Sequence, residues 1–386
     1  MRYDFDSFTD RKGTYSLKWD VRKGELPMWV ADMDFNTAPA VTEALVMRAW
    51  HGIYGYTTIP DKWYDAYINW WKERHNVEYK RHELLFSTGV IPTISSCIRK
   101  LTTPGENVLI MTPVYNIFYN CIRNNGRNVL EVPLVYEKDS CFPDWTALEK
   151  ALSDPQTSLM LLCNPHNPVG RIWNRQELER IGELAEKYGV TVLSDEIHCD
   201  ITDPGKDYVP YASVSEKCRK NCIICVSPTK AFNLAGIQTS AVIIPDVRLR
   251  HKVWRALNTD EVAEPNVFAV DAAVAAFTKG GDWLDELREY LLRNKKRTAE
   301  FLEKEIPAIK LMPSEATYLL WLDCSGIGLT SSELAKRIRQ KTGLYLSDGR
   351  QYGERGCFLR MNIACPASLL EDGLGRLKKA VDAIML

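Results

Sequence analysis

Val190-Thr191-Val192-Leu193-Ser194-Asp195-Glu196 is a run of apolar and β-branched residues that stops on an acid. Just before it, Glu177 to Tyr188 places Leu178, Ile181, Leu184 and Ala185 at helical spacing, and Gly189 closes that helix. Helix, glycine and buried strand in succession make one repeat of an α/β sheet. The pattern extends both ways. Val108 to Met111 follows the turn Pro104-Gly105, and Ser158 to Cys163 ends at Asn164-Pro165. Ile223 to Ser227 and Ser240 to Ile244 read as further strands. Short apolar strands separated by helical stretches predict a mainly parallel sheet with helices on both faces.

Three chemical signals fall just past strand ends: Asn167 in Asn164-Pro165-His166-Asn167-Pro168-Val169-Gly170, then Asp195, then Lys230 in Ser227-Pro228-Thr229-Lys230-Ala231-Phe232-Asn233-Leu234-Ala235-Gly236. Open α/β sheets bind ligands outside the carboxyl ends of their strands, so these groups are expected at one edge. Together they suit pyridoxal phosphate: a lysine for the Schiff base, an acid for the pyridine nitrogen, an asparagine for the ring hydroxyl. Each has an ordinary alternative when taken alone. An isolated lysine is usually a surface lysine, a strand-end acid caps the next element, and Asn-Pro marks a turn.

Weaker signals surround these three. Gly89 opens an apolar helix (Ile94, Cys97, Ile98, Leu101), either as a plain turn or to bring backbone N–H groups to a phosphate. Ser227 and Thr229 are placed to offer hydroxyls to the same phosphate. Tyr115 follows a strand and either stacks on the pyridine ring or packs in the core. Arg360, on a predicted strand Cys357 to Ile363, either grips a substrate carboxylate or makes a structural ion pair. The six histidines show no metal spacing, and no metal is expected.

The 386 residues predict one large domain with a second lobe, or two domains. The net charge of -1 gives no footing for nucleic acid or an anionic membrane. No apolar run approaches the roughly 20 residues of a membrane span. Eleven scattered cysteines, several in apolar settings such as Cys163 and Cys225, predict reduced core thiols. With an acidic, mixed start at Met1-Arg2-Tyr3-Asp4-Phe5-Asp6, unlike a signal peptide, the expected compartment is the cytoplasm. Beyond residue 280, Trp283 to Glu305 reads as one long amphipathic helix. Strand Tyr318 to Asp323, helix Ser332 to Gln340, the Arg360 strand and a helix from Ala367 follow, as a smaller α+β lobe.

These motifs, in this order, resemble the fold type I pyridoxal phosphate enzymes related to class I/II aminotransferases. Lys18-Trp19-Asp20, Leu26-Pro27-Met28-Trp29-Val30-Ala31-Asp32-Met33-Asp34-Phe35 and Tyr54-Gly55-Tyr56 narrow the resemblance to the MalY/PatB group of cystathionine and cysteine-S-conjugate β-lyases. The resemblance implies a seven-stranded, mainly parallel sheet in a large domain at 48–282, and a small domain of 1–47 with 283–386. It implies that Lys230 is the Schiff-base lysine and proton shuttle. Asp195 meets the pyridine nitrogen, Asn167 the ring hydroxyl, and Tyr115 the ring face. Gly89, Val90 and Ile91, with Ser227 and Thr229, surround the phosphate. Arg360 binds the substrate α-carboxylate, and Trp29, Val30 and Ala31 line the entrance. Tyr56 reaches the phosphate of a neighbouring subunit, which implies a homodimer with shared sites. His198 stands where many aminotransferases of this fold carry tyrosine, which favours the lyase branch.

The expected reaction is β-elimination from a cysteine thioether, such as L-cystathionine, to a thiol, pyruvate and ammonia. An aminotransferase shares the first steps and is the runner-up. A regulatory module that keeps the fold is a third reading. Ser-x-x-Lys with Lys341-Thr342-Gly343 also matches a fragment of the penicillin-binding signature. No Ser-Asp-Asn accompanies it, and Gly343 reads as a helix C-cap.

Overall fold

The structure, a computed structural model, describes residues 2–137 and 140–386; Met1 of the N-terminal stretch lies outside them. Its strands are β1 (Leu26–Pro27), β2 (Leu84–Ser87), β3 (Asn107–Thr112), β4 (Asn128–Glu137), β5 (Ser140–Pro143), β6 (Thr157–Cys163) and β7 (Thr191–Asp195). They continue as β8 (Cys222–Val226), β9 (Ser240–Ile243), β10 (Lys310–Leu311), β11 (Leu319–Asp323), β12 (Leu344–Tyr345), β13 (Ser347–Asp348) and β14 (Phe358–Asn362).

The large sheet runs β2-β9-β8-β7-β6-β3-β4-β5. The five strands β8, β7, β6, β3 and β4 are parallel. β9 is antiparallel to both β8 and β2, and β5 to β4. The sheet therefore has eight strands where seven were expected. The eighth, β5, is a half-exposed edge strand (Ser-Cys-Phe-Pro) with a proline in it, too short to leave a strand pattern.

Helices cover both faces, as the unbroken apolar runs of the central strands require. Leu159 and Leu161 of β6 pack into one core with Ile94 and Ile98 of the helix Val90–Leu101. Met160 and Leu162, pointing the other way, join a second core with Leu178 and Ile181 of the helix Arg175–Tyr188. That helix begins two residues before its expected start. Asn174 accepts from Glu177 N–H at 2.9 Å and the Glu177 carboxylate accepts from Asn174 N–H at 3.0 Å, a reciprocal cap. All eleven cysteines are free and buried. Cys222 and Cys225 are spaced as a CxxC pair, but they lie in the two separate cores on opposite faces of β8.

A second sheet, β10-β11-β14-β13, forms the C-terminal lobe, and β1 pairs with β12. The long helix observed is Gly281–Glu305, and the chain closes with Ala367–Met385. Gly343 ends its helix in the left-handed region, as the sequence predicted. Gly170 ties the lobes together. Its φ is +75°, its carbonyl accepts from Glu315 N–H at 2.8 Å and Ala316 N–H at 2.9 Å, and a Cβ there would sit 2.7 Å from Ala316 O. Among the described residues no helix is long and apolar enough to cross a membrane.

Candidate active site

Asp195 is the last residue of β7, Asn167 lies in the loop after β6, and Lys230 lies in the one-turn helix Pro228–Ala231 after β8. These parallel neighbours deliver all three side chains to one edge, around a cavity of about 240 Å³. Gly89, Val90, Ile91, Tyr115, Thr229 and Ala31 also line it.

Lys230 Nζ donates to the Ala31 carbonyl at 2.6 Å. Burial, helped by the nearby Arg360 cation, pushes the lysine down to about 8. The amine is thus far easier to neutralise than an ordinary lysine, as a nucleophilic lysine requires. Asp195 is 4% exposed, and burial pushes it up to about 7. Its Oδ1 accepts from Ile197 N–H at 3.1 Å, and no cation pairs with it within 4 Å among the described residues. A buried acid lacking a cation fits a protonated ring nitrogen, which would supply that cation.

The other end of the cavity fits a phosphate. Gly89 N-caps the helix Val90–Leu101 without any side-chain cap, which leaves first-turn N–H groups of Val90 and Ile91 for a ligand. Pro92, next in the turn, has no N–H to satisfy. Gly89 has an extended φ of 172°, and a Cβ on it would come within 3.2 Å of Pro92 Cδ. Thr229 lines the cavity, but Ser227 does not. The Ser227 hydroxyl lies 2.6 Å from Thr239 O and 2.8 Å from Thr229 Oγ1, and it accepts from Thr229 N–H at 3.1 Å. It caps the lysine turn, a local use of serine that competes with ligand contact.

Arg360 stands beside the cavity on β14, 4% exposed. Nη1 donates to Asn167 Oδ1 at 3.2 Å and Nη2 to Trp29 O at 2.9 Å, while Nε has no partner. No carboxylate pairs with it among the described residues, so the structural ion pair open in the sequence is absent. A buried guanidinium with an unused donor is set to bind an anion. Tyr115 is half-buried, edge-on to Phe118 with ring centroids 5.8 Å apart, and burial pushes its hydroxyl up to about 12. Trp29 and Val30 flank Ala31 without lining the cavity, and Trp29 stacks on Tyr345 at 4.9 Å. Tyr56 is fully exposed on this chain and takes no part in the cavity.

The structure places His198, which the sequence set near the site without a role, and adds residues that the motifs did not single out. His198 lines the cavity and is pushed down to about 3 by burial and then by Lys230 and Arg360. Tyr318 OH donates to Ala31 O at 3.1 Å, and Asn233 and Asn362 hold the backbone on either side of Ala31. Asn233 was visible in the lysine motif; nothing marked the other two. His166 instead turns away, 2.7 Å from Pro113 O with its ring edge on Trp173. Elsewhere, His75, Cys199 and Asp200 bring ligand-type atoms within 4.8 Å of one another. The His75 Nε2–Asp200 Oδ1 contact of 2.8 Å and the Trp70 indole at 3.0 Å share that one oxygen.

Residues 28–377 match the profile of the family described as aminotransferase class I and II. The chain is 44% identical over 387 residues to cystathionine beta-lyase PatB of Bacillus subtilis, covering 98% of this chain and all of that one. It is 35% identical to protein MalY of Escherichia coli over 99% of this chain and all of that protein. Among solved structures, cystalysin from Treponema denticola, which contains pyridoxal 5'-phosphate, superposes with a TM-score of 0.96 at 30% identity, covering 99% of this chain and all of that one. The pyridoxal phosphate-bound C–S lyase from Staphylococcus hominis superposes at 0.92 and 31% identity, covering 98% and 99%.

Proposed function

The chain belongs to the class I and II aminotransferase family, in its MalY/PatB group of fold type I pyridoxal phosphate enzymes, and we propose that it cleaves the Cβ–S bond of cysteine thioethers. With L-cystathionine and water the products are homocysteine, pyruvate and ammonia. The observation that carries this reading is the buried, acid-free Arg360 beside Lys230, on a chain that matches PatB along its whole length.

Bound pyridoxal phosphate supplies an aldehyde that bonds amines and a ring that accepts the electron pair freed at Cα. The protein's residues do the rest. Val90 and Ile91 N–H groups with the Thr229 hydroxyl would hold the phosphate. Asp195 would accept the ring N–H and keep it protonated. Asn167 would donate its amide to the ring hydroxyl while its Oδ1 stays on Arg360. Tyr115 would cover a ring face. Arg360 fixes the substrate carboxylate, which orients the Cα–H bond toward Lys230. The Lys230 amine, largely neutral above about pH 8, takes the Cα proton, and the thiolate leaves from Cβ. Ser227 acts through Thr229 by capping its turn.

The two-lobe division at 48–282 and 1–47 with 283–386 belongs to the same proposal, supported by the pairing of β1 with β12. So does a homodimer with shared sites. It is supported by the exposed Met47, Trp50, Ile53, Tyr54 and Tyr56, a run of apolar surface suited to a second copy. Tyr56 is assigned to the partner's phosphate, and the compartment is taken as the cytoplasm.

The test is addition of L-cystathionine to the purified, cofactor-loaded protein with pyruvate and free thiol assayed together. Equimolar appearance of both supports the lyase. Conversion of the cofactor to its amine form without thiol release supports aminotransfer instead.

A further inference from the structure

Five successive backbone carbonyls beside the cavity are each taken by a side chain. Trp29 O accepts from Arg360 Nη2 at 2.9 Å and Ser347 Oγ at 3.1 Å. Val30 O and Asp32 O both accept from Asn362 Nδ2, each at 2.6 Å. Ala31 O accepts from Lys230 Nζ at 2.6 Å and Tyr318 OH at 3.1 Å. Met33 O accepts from Asn233 Nδ2 and from Arg11 Nη1, both at 3.0 Å. Among the described residues no strand partners this segment, so side chains replace the ladder that would otherwise satisfy it.

Asn233 grips the segment from both sides of its amide. Its Oδ1 accepts from Met33 N–H at 3.0 Å, and its Nδ2 reaches Phe35 O at 2.9 Å as well as Met33 O. Its φ is +56°, a left-handed conformation that asparagine tolerates and most residues do not. It follows Lys230 on the same turn, so one short piece of chain carries both the lysine and the clasp that holds the lysine's acceptor.

We propose that Asn233 is a positioning residue: its amide locks the 29–33 segment onto the lysine turn, so that the Ala31 carbonyl stands where the free Lys230 amine docks. The docked amine is held ready both to bond the cofactor and, once a substrate amine has displaced it, to receive the Cα proton. The last of these rests on the lyase reading; the docking does not.

The test compares the parent with Asn233→Gly, which keeps the left-handed backbone and removes the amide, and with Asn233→Asp, which keeps only the acceptor for Met33 N–H. Three quantities are measured: hydrogen exchange at the Met33 amide, the rate of pyridoxal phosphate uptake by the cofactor-free protein followed by absorbance, and kcat and KM with L-cystathionine. Asn233→Gly is expected to lose protection at Met33 and to slow uptake about tenfold. It should lower kcat about 10- to 100-fold with KM within about twofold, as misplacement of a reacting group does. Asn233→Asp should fall between the two. Unchanged exchange at Met33 overturns the clasp. Lost protection with parental uptake and kcat overturns the positioning role. A parent that takes up cofactor but releases no thiol overturns the lyase reading, while the exchange and uptake results still decide the clasp.

Discussion

Arg360 Nη1 donates to Asn167 Oδ1 at 3.2 Å, a bond that runs from β14 of the C-terminal lobe to the loop after β6 of the large sheet. The residue expected to hold the substrate's carboxylate is thus fixed by the residue expected to hold the cofactor's hydroxyl. Substrate and cofactor would be placed by one joint.

Arg360→Ala should therefore act on binding first. Loss of a charge-assisted contact corresponds to roughly 1.5–3 kcal/mol, or a KM for L-cystathionine about 10- to 150-fold higher. Steady-state kinetics on the cofactor-loaded variant decide it. An unchanged KM removes the carboxylate from Arg360.

Lys230→Ala should retain its circular dichroism spectrum and lose turnover by about 10³-fold or more. In the parent, cofactor uptake needs the neutral amine. Its rate should climb about tenfold per pH unit and level off near pH 8, where the lysine titrates. A rate that keeps climbing to pH 10 would mean an ordinary lysine.

Asp195→Asn is expected to show opposite effects on activity and stability. Turnover should drop at least about 100-fold, because the ring nitrogen loses its acid partner. Stability of the cofactor-free protein should rise. The folded state raises Asp195 from 3.8 to about 7, so it binds the proton more tightly than the unfolded chain and loses stability as pH climbs through that window. Removing the charge recovers up to roughly 4 kcal/mol above pH 7 and nothing near pH 4. Denaturant melts of variant and parent at both pH values test the sign; a variant less stable than the parent above pH 7 refutes it.

His198 should not titrate in the working range, since burial and two cations push it down to about 3. His198→Asn should leave both limbs of the pH profile of kcat/KM where they are. A limb that moves by a pH unit would make His198 one of the titrating groups.

Gly170→Ala tests the joint between lobes. The left-handed φ and the 2.7 Å approach of a Cβ to Ala316 O predict a loss of about 2–4 kcal/mol, read from denaturant unfolding. Parental stability would mean that the 314–316 loop yields freely.

Much of the site was legible because each of its three central residues ends or follows a parallel strand, and parallel strands leave unbroken apolar runs. Asn167, Asp195 and Lys230 could be read to one edge before any coordinate. Ser227 was less legible. A serine before a lysine looks the same in sequence whether its hydroxyl faces a phosphate or caps its own turn. Asn362 and Tyr318 were invisible for a related reason: a side chain bonded to a distant carbonyl leaves no periodicity. β4 escaped because its residues alternate in exposure and include Pro133, and β5 because four residues carry too little pattern.

The proposed reaction sets free a thiol in every turnover, and thiols exchange with disulfides. A protein bathed in its own product would collect mixed disulfides at any accessible thiolate. All eleven cysteines of this chain lie in the interior, and burial pushes the Cys163 thiol, on the cavity wall beside Asn167, far up and away from the reactive thiolate. The same packing that builds the two cores keeps the Cys163 thiol beside the site from exchanging with homocysteine, sulfide or their oxidised forms.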